Sequence, residues 1–149
     1  VRDFAFATCD RWLWDAAAAN VGDRDGDGTD DRCLVQSFHR RRTAAWRRSA
    51  SFAQHAIERM SQWLLPYPWP HATVVEGILG GGMEYPMLTL CGDQHAAPFQ
   101  QSLIAHELIH MWFPMLVGSD ETAFGWQDEG LTDFFTERLE RDHQRRGDT

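Results

Sequence analysis

Apolar and polar positions alternate through Asp3–Trp14 (DFAFATCDRWLW), with Phe4 and Phe6 on one side, and this predicts a first strand. Cys33–His39 (CLVQSFH) predicts a second. The Asp- and Gly-rich stretch between them makes the pair a hairpin with a long tip. From Thr43, a residue suited to N-capping, the period becomes helical: Trp46, Ala50, Ala53, Ile57, Met60 and Leu64 fall on one face. This helix has to stop before Pro66, and LPYPWPH (65–71) is a proline-punctuated connector. ATVVEGIL (72–79) and MLTLC (87–91) predict two more strands. A helix from about Phe99 to Phe113 is ended by Pro114. After a loop, Asp128 is placed to N-cap a last helix with Leu131, Phe134, Phe135 and Leu139 on its buried face. Strands come first and helices cluster late, without internal repeats, so the predicted fold is α+β in one domain.

Composition narrows the function classes. At 149 residues, 43% hydrophobic and with seven tryptophans, the chain can bury a core without staples. Its net charge of -8 argues against a nucleic-acid partner. No apolar run approaches a membrane span, and no signal peptide is visible. The chain starts at Val1 without an initiator Met and reads as an excerpt of a larger parent chain, so cytoplasmic and extracytoplasmic locations both stay open. Cys9, Cys33 and Cys91 lack zinc-knuckle spacing, and their odd count allows at most one bridge.

The chemistry concentrates in HELIH. On a helix, His106 and His110 project from one face, one turn apart, and two imidazoles at that spacing can bind one ion. Glu107 is rotated off that line and is placed as a base for water, not as a ligand. A catalytic Zn²⁺ usually has three protein ligands and one open position. Glu129, with eighteen residues between it and His110, supplies the third from the first turn of the next helix. Asp133, one turn further, can accept the free ring N–H of a zinc histidine. Upstream, Gly80, Gly81 and Gly82 remove side chains so that a substrate backbone can come close, and Glu84 adds a negative charge beside that strand.

HELIHMWF, then WQDEGLTDFF, and GGMEYP about twenty residues before them resemble the gluzincin metallopeptidases of the aminopeptidase N family. Trp126, Glu129 and Gly130 match that family's W-x-x-E-G motif. The resemblance covers most of residues 74–137. It implies a thermolysin-like catalytic domain, truncated here, with a sheet part and one helix in 1–98 and the two zinc helices in 99–149. It implies one Zn²⁺ per chain on His106, His110 and Glu129, with Glu107 as general base. It further implies a peptide substrate with a free N-terminus, lined by Gly81, Gly82 and Met83 and anchored through its α-amino group by Glu84. Two departures stand out. Tyr85 replaces the family's usual Asn, and the downstream Tyr that stabilises the oxyanion is absent, since the two tyrosines are Tyr67 and Tyr85. A catalytically incomplete fragment that binds zinc and peptide is therefore a second reading.

DRDGDGTDDRC (23–33) carries Asp23, Asp25, Asp27 and Asp31 around glycines, a pattern suited to Ca²⁺. The twelfth position from Asp23 is Leu34, so the closing bidentate Glu is missing. A calcium-stabilised structural module and a solvated acidic turn both remain open.

Overall fold

The computed structural model describes residues 3–40, 43–78, 80–94 and 96–146. Among them the elements are β1 (Leu13–Gly22), β2 (Asp31–His39), α1 (Ala44–Arg47), α2 (Ser49–Trp63), β3 (His71–Glu76), β4 (Gly82–Tyr85), β5 (Leu88–Cys91), α3 (Ala97–Ile109) and α4 (Glu129–Arg146). The fold is α+β. Its sheet has the order β1-β2-β3-β5-β4. The outer pairs β1–β2 and β4–β5 are antiparallel, and β2–β3 and β3–β5 are parallel. The return from β2 to its parallel neighbour β3 is made through α1 and α2, because a parallel pair cannot be closed by a tight turn.

The hairpin starts later than the Phe4/Phe6 alternation predicts. Phe4 and Phe6 are about 80% exposed and belong to no strand. Their alternation finds no partner, whereas the alanine run LWDAAAANVG pairs with β2 from Leu13↔His39 to Gly22↔Asp31. Alanine has little strand propensity, and cross-strand pairing overrides it here. The small side chains let α2 pack closely on β1, burying Ala19 and Val21.

Thr43 caps as expected, its hydroxyl accepting from Trp46 N at 3.3 Å. The single helix expected after it is broken at Arg48, whose N–H turns to Ala45 O and Trp46 O. At the break the Ser49 hydroxyl donates to Trp46 O at 2.6 Å and also meets Ser37 Oγ on β2 at 2.6 Å. Those side-chain bonds tie the kink to the sheet. Beyond it, Ala53, Ile57 and Met60 are buried as predicted, but Leu64 is the C-cap and 37% exposed. The strand expected over 72–79 ends at Glu76, and Leu79 lies outside the described residues.

α2 packs on β1 and β2, and α3 on β4 and β5, so the helices line one side of the sheet with a continuous core between. Trp46, Ile57, Met60, Tyr67, Leu108 and Trp112 are fully buried in it. The predicted buried face of the last helix holds at Phe135 and Leu139, which are buried, whereas Leu131 is half-buried and Phe134 is 60% exposed. No helix among the described residues is long and apolar enough to cross a membrane.

The three cysteines are free. Cys33 and Cys91 sit on strands separated by β3, and the β3 register places them about six residues apart along it. That is roughly 20 Å, beyond the ~7 Å Cα limit of a disulfide. Burial pushes the Cys33 thiol up to about 12 and the Cys91 thiol higher still, with Glu107 adding to the latter. A raised thiol pKa means less thiolate, the reactive form, at any lower pH. In the native chain at pH 8, one thiol, Cys9, should react with iodoacetamide, and denaturation should release the other two. Native labelling at Cys33 or Cys91, read by peptide mass mapping, would refute this.

Candidate metal centre

His106 lies in the last turn of α3 and His110 is its C-cap, with φ -55° and ψ -17°. The helix was expected to run to Phe113. It stops at Ile109, and Met111 and Trp112 donate to Leu108 O and Ile109 O in tightened turns. Pro114 has no N–H and disfavours helix in the residue before it, so the last turn cannot continue. His110 N–H still reaches His106 O at 3.4 Å, which keeps the two rings on one face, their centroids 4.8 Å apart.

α4 brings the carboxylate. Phe135 stacks on Phe113 with centroids 5.9 Å apart, and Thr132 is buried against His110, so the start of α4 is pressed onto the end of α3. Glu129 Oε2 then lies 3.1 Å from His106 Nε2 and 3.7 Å from His110 Nε2, and the two Nε2 atoms are 3.2 Å apart. A tetrahedral ion with bonds of ~2.0–2.1 Å to N and O has ligand–ligand edges of about 3.3–3.4 Å. This triangle therefore fits one small divalent cation. Glu129 is 60% exposed, leaving a side open for a further ligand.

Both rings are aimed by their other nitrogen. His106 Nδ1 faces Asp133 Oδ1 at 3.3 Å. His110 Nδ1 faces Asp128 Oδ1 at 2.8 Å and Phe113 O at 2.9 Å. With acceptors at Nδ1, the proton sits there and the Nε2 lone pair is left for a metal. α4 begins just after Asp128, the expected cap position, and Asp128 O accepts from Thr132 N–H at 3.2 Å. Its carboxylate is turned to His110. That role was missed because it depends on the bend at Gly125–Gln127, a 3₁₀ turn that a contact-free reading sees as plain loop. The adjacency of Asp128 to Glu129 was the available signal.

Glu107 is 5% exposed and packs against Gly82 on β4. A Cβ at Gly82 would land inside the Glu107 carboxylate, so this position admits only glycine while Glu107 stays in place. Side chains alternate along a strand, so Glu84 shares the Gly82 face, and Met83 and Tyr85 point the other way. Gly81 precedes the strand and is exposed. Burial, then the charges of Glu84, Glu129 and Asp128, push Glu107 up to about 8. Burial likewise raises Asp128, against the pull of His110. Four carboxylates converging this closely oppose one another, and a bound cation reverses the sign of that local field. Glu84, His110 and Asp128 form a second trio with ligand atoms within 4.8 Å, which puts Glu84 beside the first.

In the hairpin tip, Asp23, Asp25 and Asp27 converge within 4.8 Å and are exposed. Asp23 accepts from the N–H groups of Gly26, Asp27 and Gly28, and Thr29 holds Asp27 below the usual carboxylate range. Asp31 is not with them. Its carboxylate takes the Arg24 guanidinium at 3.3 Å and the Arg24 N–H at 3.1 Å.

No family model matches the chain. It is similar to leucine aminopeptidase 2 of Aspergillus oryzae, 31% identical over 90 residues, which takes in 57% of this chain and 14% of that protein. The chain thus spans about a seventh of that relative's length. Independently of that similarity, the His, Asp and Glu clusters could hold a metal ion.

The geometry generates a metal-binding prediction. Metal-stripped chain titrated with Zn²⁺ should take up one equivalent tightly, and Asp128→Ala should weaken that binding about 10–100-fold, with Asp128→Asn losing less because it keeps a polar side chain of the same size against His110 Nδ1. Competition with a chromophoric chelator measures both, and an Asp128→Ala affinity within twofold of the unsubstituted chain would show that His110 needs no carboxylate.

Proposed function

We propose that this chain carries the zinc- and amine-binding part of an aminopeptidase of thermolysin-like design, related to the aminopeptidase N group. The observation that carries the reading is the joint placement of three groups: the His106–His110–Glu129 triangle, the buried Glu107 beside it, and Glu84 on the same strand face as Gly82. The similarity to an aminopeptidase points the same way.

When bound, zinc supplies a Lewis acid for the scissile carbonyl. The residues do the rest. β4 is the edge of the sheet, paired only to β5 among the described residues, so its outer backbone can take an extended peptide as a further strand. Glu84 receives the substrate's ammonium group, in a partly buried place where a charge pair is stronger than in water. Glu107, held against Gly82, accepts a proton from the attacking water at its carboxylate oxygen and returns it to the leaving amine nitrogen. A raised proton affinity suits a group that must both take and give a proton near neutral pH.

One observation favours a second reading, a fragment that binds zinc and peptide but turns over poorly. Tyr67 is fully buried and its hydroxyl donates to His71 O at 3.1 Å. Tyr85 falls on the strand face opposite Glu84. Neither is placed to stabilise an oxyanion over the His106–His110 face. Under this reading the chain's metal and peptide affinities remain and only the rate is low. A third role, Ca²⁺ ordering the hairpin tip, rests on Asp23, Asp25 and Asp27 alone.

Glu107→Gln should keep zinc and lose hydrolysis by about 10²–10⁴-fold, and a variant within twofold of the unsubstituted protein would remove Glu107 as the base. Gly82→Ala should give a comparable loss with zinc retained, because the added methyl displaces the same carboxylate. The amine anchor is checked by kcat/KM, or by Kd where turnover is too slow, for one peptide with and without N-acetylation. The free peptide should be preferred, and equal values would mean that Glu84 anchors no amine.

A further inference from the structure

Two grooves meet on the α3–α4 surface. One, of about 400 Å³, runs from His106, Glu107 and Asp133 past Gly80 and Gly81 to Ser102 and Phe99. The other, of about 370 Å³, continues from Phe99 and Ser102 towards Glu140 and His143. They adjoin at Phe99 and Ser102, which line both, and the first groove alone joins the metal cluster to Phe99; the two adjoining grooves together are the channel. From His106 back to Ala97 the channel follows nine residues of α3, about 13 Å at helical rise. An extended peptide advances ~3.3–3.6 Å per residue, so about four residues fit that length.

The chain order of β4 fixes which end of a substrate enters. With the N-terminus at Glu84 and the reacting bond beside Glu107 and Gly82, the rest of an extended substrate must pass Gly81 and then Gly80, and those two glycines open the channel. Among the described residues nothing lies within 4 Å of a Cβ built on either, so neither position crowds the passage. Phe99 stands seven residues before His106 on α3 and is 70% exposed, an apolar ring turned to the channel. That separation is about 10 Å at helical rise, which is the reach of the third residue beyond the reacting bond.

We propose that this channel binds the portion of a peptide substrate that follows the scissile bond, and that the preferred substrates are oligopeptides of about five residues or more with an apolar side chain at the fourth position, seated on Phe99. This deepens the aminopeptidase reading and rests on it for the direction of the chain. Continuity with the metal cluster is the argument for a peptide occupant, since the first groove runs from His106 and Glu107 to Phe99. Asp133 and Glu140 line it near and far, with Arg48 and His143 at the far end, so its charge is mixed and the aromatic platform is its distinguishing feature.

The test uses zinc-loaded Glu107→Gln chain, which holds peptide without cutting it, and isothermal titration with free-amino peptides of two to six residues carrying Leu or Gly at position four. Affinity should rise about tenfold or more between the dipeptide and the Leu-containing pentapeptide, and less with Gly. Phe99→Ala should remove that gain while leaving the dipeptide within twofold, and Ser102→Trp, which fills the junction of the grooves, should remove it as well. A flat length series, or a gain that survives both substitutions, overturns the channel. N-acetylated peptides separate the two claims. Loss of length dependence with amine preference intact sinks the channel alone. Length dependence without amine preference sinks the Glu84 anchor and the assigned direction. Absence of binding by every peptide sinks both.

Discussion

The centre depends on how α4 is seated on the end of α3. Two histidines on one helical turn supply two corners of a coordination triangle, but the third corner comes from a different element. Glu129 reaches it only because Phe135 stacks on Phe113 and Thr132 is buried against His110. The same contact turns Asp128 onto His110 Nδ1 and Asp133 onto His106 Nδ1. A shift of one turn in α4, about 5.4 Å, would undo the triangle and both orienting contacts together. The packing of apolar rings and the geometry of the polar groups are therefore one constraint.

Electrostatics runs against this arrangement until a cation enters. Glu84, Glu107, Asp128 and Glu129 converge, and burial first, then these neighbouring charges, raise the proton affinities of Glu107 and Asp128. Hydrophobic burial from the sheet and α2 supplies the stability that lets such a cluster persist, since α3 is anchored through Ile104, Leu108 and Ile109 in the main core. Strain of this kind is expected where a site is built for a ligand.

Glycine has a specific part at Gly82. β4 passes so close to α3 that the Glu107 side chain occupies the space a side chain at Gly82 would need. The close approach brings a sheet edge, a buried carboxylate and the His106–His110–Glu129 triangle together.

The element order, apart from β4 and the break between α1 and α2, the α+β class and the helical placement of HELIH were legible in the sequence, because hydrophobic periodicity and proline report local geometry directly. So were the candidate ligands, since the i, i+4 spacing of His106 and His110 on a helix is a local fact. What failed in the reading failed for lack of partners. Phe4 and Phe6 alternate like a strand yet have none to pair with, while an alanine run with little intrinsic preference becomes β1 because β2 holds it. The parallel pairings of β3, the exposure of Phe134, the divergence of Asp31 from the other aspartates and the turn of the Asp128 carboxylate onto His110 were decided only by tertiary contact. Local spacing determines which side chains a single element can present together. Whether a residue on another element completes them depends on the packing of one element against the next, and the chain's periodicity carries no record of that.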